Sequence, residues 1–485
     1  MNIIQENGMW LRFDDLTDDE LYFLKSKLIY KDLSIQYQYH TAKKNRYMWE
    51  KDYSKWSEHV EKLKNSINQT LLIKKDNNFY TYSGLKDSLF KNLNFYGIQY
   101  TYTNNIKYPE FQTFPYNVHY KTHELHDYQE ESVSILLKNP HASIELPTGS
   151  GKQLILQTLV KRSGLPALIV VPFRSIAHQF IDEFSKAFGK KYVGLYGDGK
   201  KDYNKEIVIG ISDSISSIKE DSETYKKLSK KQVLIFDESH LVGAPTVSSI
   251  ASGIGQNMPY RWSVSATQLR IDGKDLLLEG IIGNIVYTKS FKELVDKKYL
   301  SGLHFHVYKV HSSSNYVSSN PGNMVRKHYL LNEHLLLIAA KIASLKYEQQ
   351  ESTLILIDEL KQAEILKNYL TAPFEFAYSE SDVTKQVENF NSKKNLILIG
   401  TKAIITGTNT KPTQNIILLM MGKSPTKFKQ ALGRGTRTFP GKTHCNVIDF
   451  NVENVNICNK HFENRLALYQ ELSDNIKFHD LTNRI

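Results

Sequence analysis

The stretch from Ala142 to Lys161 constrains the fold more than any other. An apolar, strand-like run, Ala142–Leu146, leads into Pro147-Thr148-Gly149-Ser150-Gly151-Lys152, and a helical pattern, Lys152–Lys161, follows directly. A strand that turns on glycines into a helix N-terminus presents backbone N–H groups and the positive end of the helix dipole to an anion. Lys152 is placed to reach the β- and γ-phosphates of a nucleotide. The pattern departs from the usual phosphate-binding loop at two positions. Gln153 stands where a Ser or Thr hydroxyl ordinarily meets Mg²⁺, and Leu146 stands where a glycine is usual. A Gly/Ser loop by itself is commonly just a turn; the strand before it and the lysine opening the helix argue for the nucleotide.

Eighty-five residues after Lys152 a second apolar run, Val233–Phe236, ends in Asp237-Glu238-Ser239-His240. Adjacent carboxylates at a strand end are often merely solvated. Beside a phosphate-binding loop, the first suits a water-mediated hold on Mg²⁺ and the second suits activation of the attacking water. Strand-like runs recur at Ala167–Val171, Ile207–Ile211 and Arg261–Ser265, with helical segments such as Ser175–Phe188 between them. A second series follows residue 300, at Thr353–Ile357, Leu396–Ile399, Ile416–Met420 and Asn446–Phe450. Strands rich in β-branched residues alternating with helices predict parallel sheets covered on both faces. The Ser- and Asn-rich stretch Val310–Asn323 reads as loop.

Residues 1–120 differ in character. They hold 24 of the 55 aromatics and no proline before Pro109. A strand is expected at Met9–Phe13, a helix around Asp18–Leu28 after the caps Asp14–Asp19, and a second helix around Arg46–Ile67. Strands are expected at Thr70–Lys74 and Phe79–Tyr82. In the second helix Trp49, Tyr53, Trp56 and Val60 share one face. Those rings could stack on bases; the helical spacing favours packing into the core of a small α+β domain.

The order of PTGSGK (147–152), DESH (237–240), Ser265-Ala266-Thr267 and Gln430-Ala431-Leu432-Gly433-Arg434-Gly435-Thr436-Arg437 resembles the superfamily 2 helicases and translocases. The resemblance spans residues 123–450. It implies an α/β fold of two RecA-like parallel-sheet lobes that bind ATP and Mg²⁺ between them, preceded here by the small α+β domain. The expected boundaries are 1–115 for the accessory domain, 116–300 for lobe 1 and 301–485 for lobe 2.

The resemblance also implies roles. Tyr128 and Gln129, in Leu125-His126-Asp127-Tyr128-Gln129, fall in the adenine-recognition element, Gln129 reading the base edge. His126 stands where relatives carry a basic stacking residue. Pro147, Thr148, Gly149, Ser150, Gly151, Lys152, Gln153 and Gly407 would line the nucleotide. Asp237 would hold Mg²⁺ through water and Glu238 would activate water. Arg434 and Arg437 would reach the γ-phosphate, as arginines of this kind neutralise charge in phosphoryl transfer. Pro172, Arg174, Gly210, Ser212, Thr401 and Lys402 would touch the nucleic-acid backbone, and Ser265 with Thr267 would couple hydrolysis to movement.

Charge agrees with an anionic partner. The chain of 485 residues carries 62 Lys/Arg against 51 Asp/Glu, a surplus of +11. Of this, +9 lies in residues 121–485, and the window 401–450 has eight basic residues against the single acid Asp449. Within it Lys402, Lys411, Lys423, Lys427 and Lys429 are candidates for phosphate contacts. Such contacts would give steep salt dependence and little sequence preference. No apolar run approaches the ~20 residues needed to span a bilayer, and no signal peptide is visible at the N-terminus. Two cysteines make neither a disulfide framework nor a zinc site by themselves. A cytoplasmic protein is expected, in the host cytoplasm if viral, and nothing demands more than one copy.

The motif set, the short lobes and the aromatic N-terminal domain look most like the phage UvsW-type recombination and repair helicases, which remodel branched DNA by fork regression and branch migration. Other readings stay open: an RNA helicase, a duplex translocase that does not unwind, and an ATP-gated nucleic-acid clamp or sensor, for which Gln153 is the one hint.

Overall fold

The computed structural model describes residues 1–46, 52–112, 124–239, 244–266, 272–394, 396–401, 404, 410, 412–422 and 425–482. The chain forms two compact units. One comprises Met1–Leu146 with Lys152–Thr288, the other Pro147–Gly151 with Lys289–Ile485.

The first unit contains two main sheets. Its eight-stranded sheet runs in the order Lys200–Lys201, Val193–Gly197, Ile207–Ile211, Ala167–Val171, Val233–Asp237, Tyr260–Ser265, His141–Glu145 and Ile285–Thr288. All pairings are parallel except the hairpin at Val193–Gly197 and Lys200–Lys201. Every residue of Ala167–Val171, Ile207–Ile211 and Val233–Asp237 is buried, as a sheet covered on both faces demands. The helix Arg174–Phe188 shows how the cover is made. It buries Ile176, Phe180, Phe184 and Phe188 along one stripe, with successive phenylalanine rings stacked 5.7 Å apart. The consequence for chemistry lies at one edge. His141–Glu145, Tyr260–Ser265 and Val233–Asp237 are neighbours in register, so the loop after Glu145, the pair Asp237-Glu238 and Ser265 all emerge from the carboxyl ends of adjacent parallel strands. Open α/β sheets bind ligands there.

The second sheet of this unit has five strands, in the order Ile73–Lys75, Asn78–Tyr82, Trp10–Asp14, Asn2–Gln5 and Thr101–Asn104. Asn2–Gln5 and Thr101–Asn104 were not expected: four polar-rich residues each carry too little alternation to read. The expected strand over 70–74 is two strands, Asn68–Thr70 and Ile73–Lys75, broken by buried Leu71 and Leu72. The helix expected over 46–67 is Tyr53–Asn65, capped by Asp52, while Trp49 lies outside the described residues. Its apolar face joins no domain core. No residue of it is buried, and the partly buried Trp56 donates Nε1–H to Ala42 O at 3.0 Å on the preceding helix, Leu33–Lys44. Elsewhere the two sheets share one core, running from Ile3, Leu11 and Leu89 to Leu168, Phe236 and Ile281.

The second unit holds a seven-stranded parallel sheet in the order Glu375–Ala377, Ile397–Gly400, Thr353–Ile357, Asn415–Leu419, His444–Val452, Gly302–Val310 and Ile476–Asp480. The stretch expected as loop from Val310 is irregular over 311–320. The helix Pro321–Val325, capped by Asn320, begins inside it. A buried ionic cluster ties this sheet to the helix Asn456–Leu472. Asp449 accepts from Arg465 Nε at 2.8 Å, from the Tyr469 hydroxyl at 2.7 Å and from the Tyr329 hydroxyl at 3.2 Å. Arg465→Met leaves that carboxylate buried with no cation, beside two hydroxyls and the Phe450 N–H at 2.8 Å. It is expected to cost about 3–5 kcal/mol, read as an earlier denaturant transition of this unit.

Candidate functional site

In the first unit the candidate residues converge on one ammonium group. Helix Lys152–Ser163 begins at Lys152, whose Nζ lies 3.0 Å from Glu238 Oε1 and 3.4 Å from Leu146 O. The other carboxylate oxygen of Glu238 accepts from Ser265 Oγ and from the backbone N–H of Ala266, each at 3.1 Å. Glu238 is thus aimed by two donors on one side and a cation on the other. Its backbone adopts φ +47°, a left-handed conformation that costs a non-glycine residue roughly 1–3 kcal/mol. The hydrogen bond from Glu238 N to Val264 O, 3.1 Å, secures it. The residue before it, Asp237, is 5% exposed. Burial raises its carboxyl well above the usual range, the Glu238 charge adds to this, and Lys152 opposes it. A buried carboxylate held against its own ionisation next to a second carboxylate is the donor set that a divalent cation relieves.

The glycines of the preceding loop meet a geometric demand. Gly149 has φ +93° and Gly151 φ +74°, and Ser150 N bonds back to Pro147 O at 3.2 Å. Thr148 Oγ1 and Gln153 Nε2 are buried with no hydrogen-bond partner among the described residues. Both can donate to phosphate oxygens, so the loop fits a nucleotide triphosphate. Gln153 turns its other end sideways, its Oε1 accepting from Gln179 Nε2 at 3.1 Å. It therefore supplies no hydroxyl for a metal, and the metal's anchorage rests on Asp237. Gln179 carries no sequence signal that could have pointed to it. Ala266 could not have been found by reading side chains, because it acts through its N–H.

The remaining first-unit candidates are spread out. Gln129 is buried and its Oε1 accepts from His126 N at 3.0 Å, closing the capping box of helix Asp127–Lys138. Tyr128 is buried, its ring stacked on His126. Pro172 is buried, and exposed Arg174 is ion-paired with Asp198, which also holds His178 at 2.8 Å. Gly210 is required where it stands, since a Cβ there would lie 2.5 Å from Ile215. Ser212 opens the short helix Ser212–Ser216 and is buried. Thr267 and His240 lie outside the described residues.

In the second unit, helix Pro425–Leu432 ends two residues before Arg434. The turn that follows is stapled from two sides. Ser301 donates to Thr436 O at 2.7 Å through its N–H and to Arg437 O at 3.2 Å through its hydroxyl. Lys442 Nζ donates to Gly435 O and, at 3.0 Å, to Arg437 O. Arg434 is 7% exposed. Burial pushes the Arg437 guanidinium down to about 10, with no carboxylate to offset it, and its Nη1 has no partner among the described residues. Thr401 is nearly buried and follows strand Ile397–Gly400. Lys402, Gly407, Lys411 and Lys423 lie outside the described residues. Two lysines of the basic window are neutralised locally, Lys427 by Asp358 at 2.5 Å and Lys429 by Glu471 at 2.8 Å.

Two protein families match the chain. One, described as "Type III restriction enzyme, res subunit", matches residues 122–270; the other, "Helicase conserved C-terminal domain", matches residues 331–438. The "DNA 3'-5' translocase XPB2" of Sulfurisphaera tokodaii is 35% identical over 174 residues, 36% of this chain and 38% of that protein. The "ATP-dependent DNA helicase uvsW" of Enterobacteria phage T4 is 24% identical over 356 residues, 67% of this chain and 68% of that protein. Among solved structures, the fragment of a HsdR subunit of a type I restriction enzyme from Vibrio vulnificus YJ016 superposes with a TM-score of 0.56. It is 20% identical and covers 81% of this chain and 73% of that one, a likeness of fold. The chain thus spans well under half the length of the archaeal relative.

Proposed function

Since the chain belongs to the superfamily 2 helicases, we propose that it is an ATP-dependent DNA helicase or translocase that remodels branched DNA, by fork regression, branch migration or unwinding. The observation that carries this reading is the Lys152–Glu238 contact at 3.0 Å, with Glu238 aimed by Ser265 and Ala266. It joins Lys152, Glu238 and Ser265, one residue from each of three motifs, in one hydrogen-bonded group. The names of two relatives support DNA over RNA: the archaeal one is called a DNA translocase and the phage one a DNA helicase. No helix among the described residues is long and apolar enough to cross a membrane.

The division of labour follows. Lys152 exchanges Glu238 for the β- and γ-phosphates, which frees Glu238 to take a proton from water. Thr148, Ser150 and the backbone of 147–151 hold the phosphates. Asp237 would hold Mg²⁺, which would supply neutralisation of the phosphate charge. Arg434 and Arg437 are assigned to the γ-phosphate, and Gln129 to adenine through whatever donor capacity its cap leaves. Thr401, Lys402, Arg174, Gly210 and Ser212 are assigned to the strand backbone, and Gly407 to the nucleotide. We infer functional domains at 1–115, 116–300 and 301–485.

The test is ATP turnover and strand displacement across forks, Holliday junctions, tailed duplexes and their RNA counterparts. Branched DNA should stimulate most, and Lys152→Ala should abolish turnover on every substrate. Stimulation by RNA alone would move the chain to the RNA helicases, and turnover without strand displacement would make it a translocase that does not unwind.

A further inference from the structure

Residues 29–70 form an arm that the helicase motifs do not account for. Its base is a ribbon of Ile29–Lys31 paired antiparallel with Asn68–Thr70. From it the helices Leu33–Lys44 and Tyr53–Asn65 run out as a hairpin, and neither contains a single buried residue. Among the described residues six of the eight exposed aromatics fall in the first 112 residues, and two of them, Tyr37 (73% exposed) and Tyr53 (58%), are on this arm.

Cations are interleaved with its rings. The Arg46 guanidinium sits 4.9 Å from the Tyr53 ring and 5.5 Å from the Trp56 ring, and the Lys43 ammonium 5.6 Å from Tyr39. The arm also holds the local charge. Residues 29–70 carry eight Lys/Arg against five Asp/Glu, whereas the rest of residues 1–120 carries eight against nine.

The base is clamped. Asp32 caps the first helix through Ser34 N and Ile35 N and is ion-paired with Lys274 at 3.0 Å. Leu33 N donates to Asp272 O at 2.9 Å. Gly273, at φ +73°, lets that loop approach so closely that a Cβ would lie 2.5 Å from Lys31 O. The clamp fixes the arm to the loop five residues beyond Thr267.

We propose that this hairpin is a second grip on nucleic acid, holding an unpaired DNA strand by stacking bases on Tyr37 and Tyr53 while Lys43 and Arg46 meet its phosphates. The inference rests on the helicase reading and deepens it. Exposed aromatics with interleaved cations are what sequence-tolerant single-strand binding uses. A membrane-surface helix lays a free Trp/Phe/Leu face into the interface, whereas the apolar face of Tyr53–Asn65 is turned to Leu33–Lys44, where Trp56 bonds Ala42 O, leaving tyrosines and cations outward.

The test uses the full chain and a fluorescent oligothymidine. Tyr37→Ala combined with Tyr53→Ala should weaken binding by about tenfold or more and leave basal ATP turnover unchanged. Lys43→Gln combined with Arg46→Gln should flatten the slope of log affinity against log salt by about 1.4. Both pairs replace exposed side chains, so thermal midpoints should hold. Wild-type affinity and slope in both variants would overturn the grip while leaving the helicase reading intact. Failure of the wild-type chain to bind or be stimulated by any nucleic acid would overturn both.

Discussion

Glu238→Gln is expected to lower DNA-stimulated ATP turnover by about 10²–10⁴-fold, the range that a positioned general base contributes. At 25 °C this is about 3–5 kcal/mol of barrier. The substitution is close to isosteric, and the amide oxygen can still accept from Ser265 Oγ and Ala266 N, which hold Oε2 at 3.1 Å. The amide nitrogen then faces Lys152 Nζ, where Oε1 lies at 3.0 Å in the wild type. Two donors now oppose each other, so the lysine is released toward the phosphates.

Nucleotide binding should therefore survive or tighten while turnover collapses. Lys152→Ala should differ, losing affinity and turnover together because it removes a phosphate contact. Measuring nucleotide affinity and single-turnover hydrolysis in both variants separates the two roles. Unchanged turnover in Glu238→Gln would show that Glu238 does not activate water.

The parts of the molecule legible in the sequence share a physical cause. Strands buried on both faces leave unbroken apolar runs, so the apolar runs Ala167–Val171, Ile207–Ile211 and Thr353–Ile357 have the bounds of the strands themselves. The phosphate-binding loop was legible because glycines at positive φ followed by lysine leave few alternatives. The N-terminal region was harder. Its face of Trp56 and Val60 has helical period, and period alone does not say whether a helix meets a core or only a second helix. That distinction depends on Leu33–Lys44, whose pairing with Tyr53–Asn65 is a tertiary event. Backbone chemistry was equally hidden: neither the left-handed turn at Glu238 nor the Ala266 N–H leaves a mark in residue type. Ion pairing was hidden too: Arg174 and Lys427 meet carboxylates distant along the chain, Asp198 and Asp358, partners that residue type does not reveal.

Arg437→Met is expected to lower ATP turnover by about 10³-fold or more, as loss of an arginine at the γ-phosphate does, and also to stabilise the nucleotide-free protein. The second effect follows from its surroundings. Burial pushes the Arg437 guanidinium down to about 10 without a compensating carboxylate, and Nη1 has no partner among the described residues. Arg437 is partly exposed, but a charge whose Nη1 is buried without a partner still costs stability, and an apolar side chain of similar volume removes that cost. The turn need not collapse, because Ser301 and Lys442 hold it through the carbonyl oxygens of residues 435–437, which the substitution leaves in place. Arg465→Met provides the contrast. There the guanidinium is matched by Asp449, and the same replacement should destabilise. Thermal midpoints without nucleotide and turnover with DNA, measured for both variants, decide the matter. A rise in midpoint with loss of turnover marks Arg437 as a group held in strain for chemistry. A fall in midpoint with turnover intact would make it a structural residue and remove it from the site.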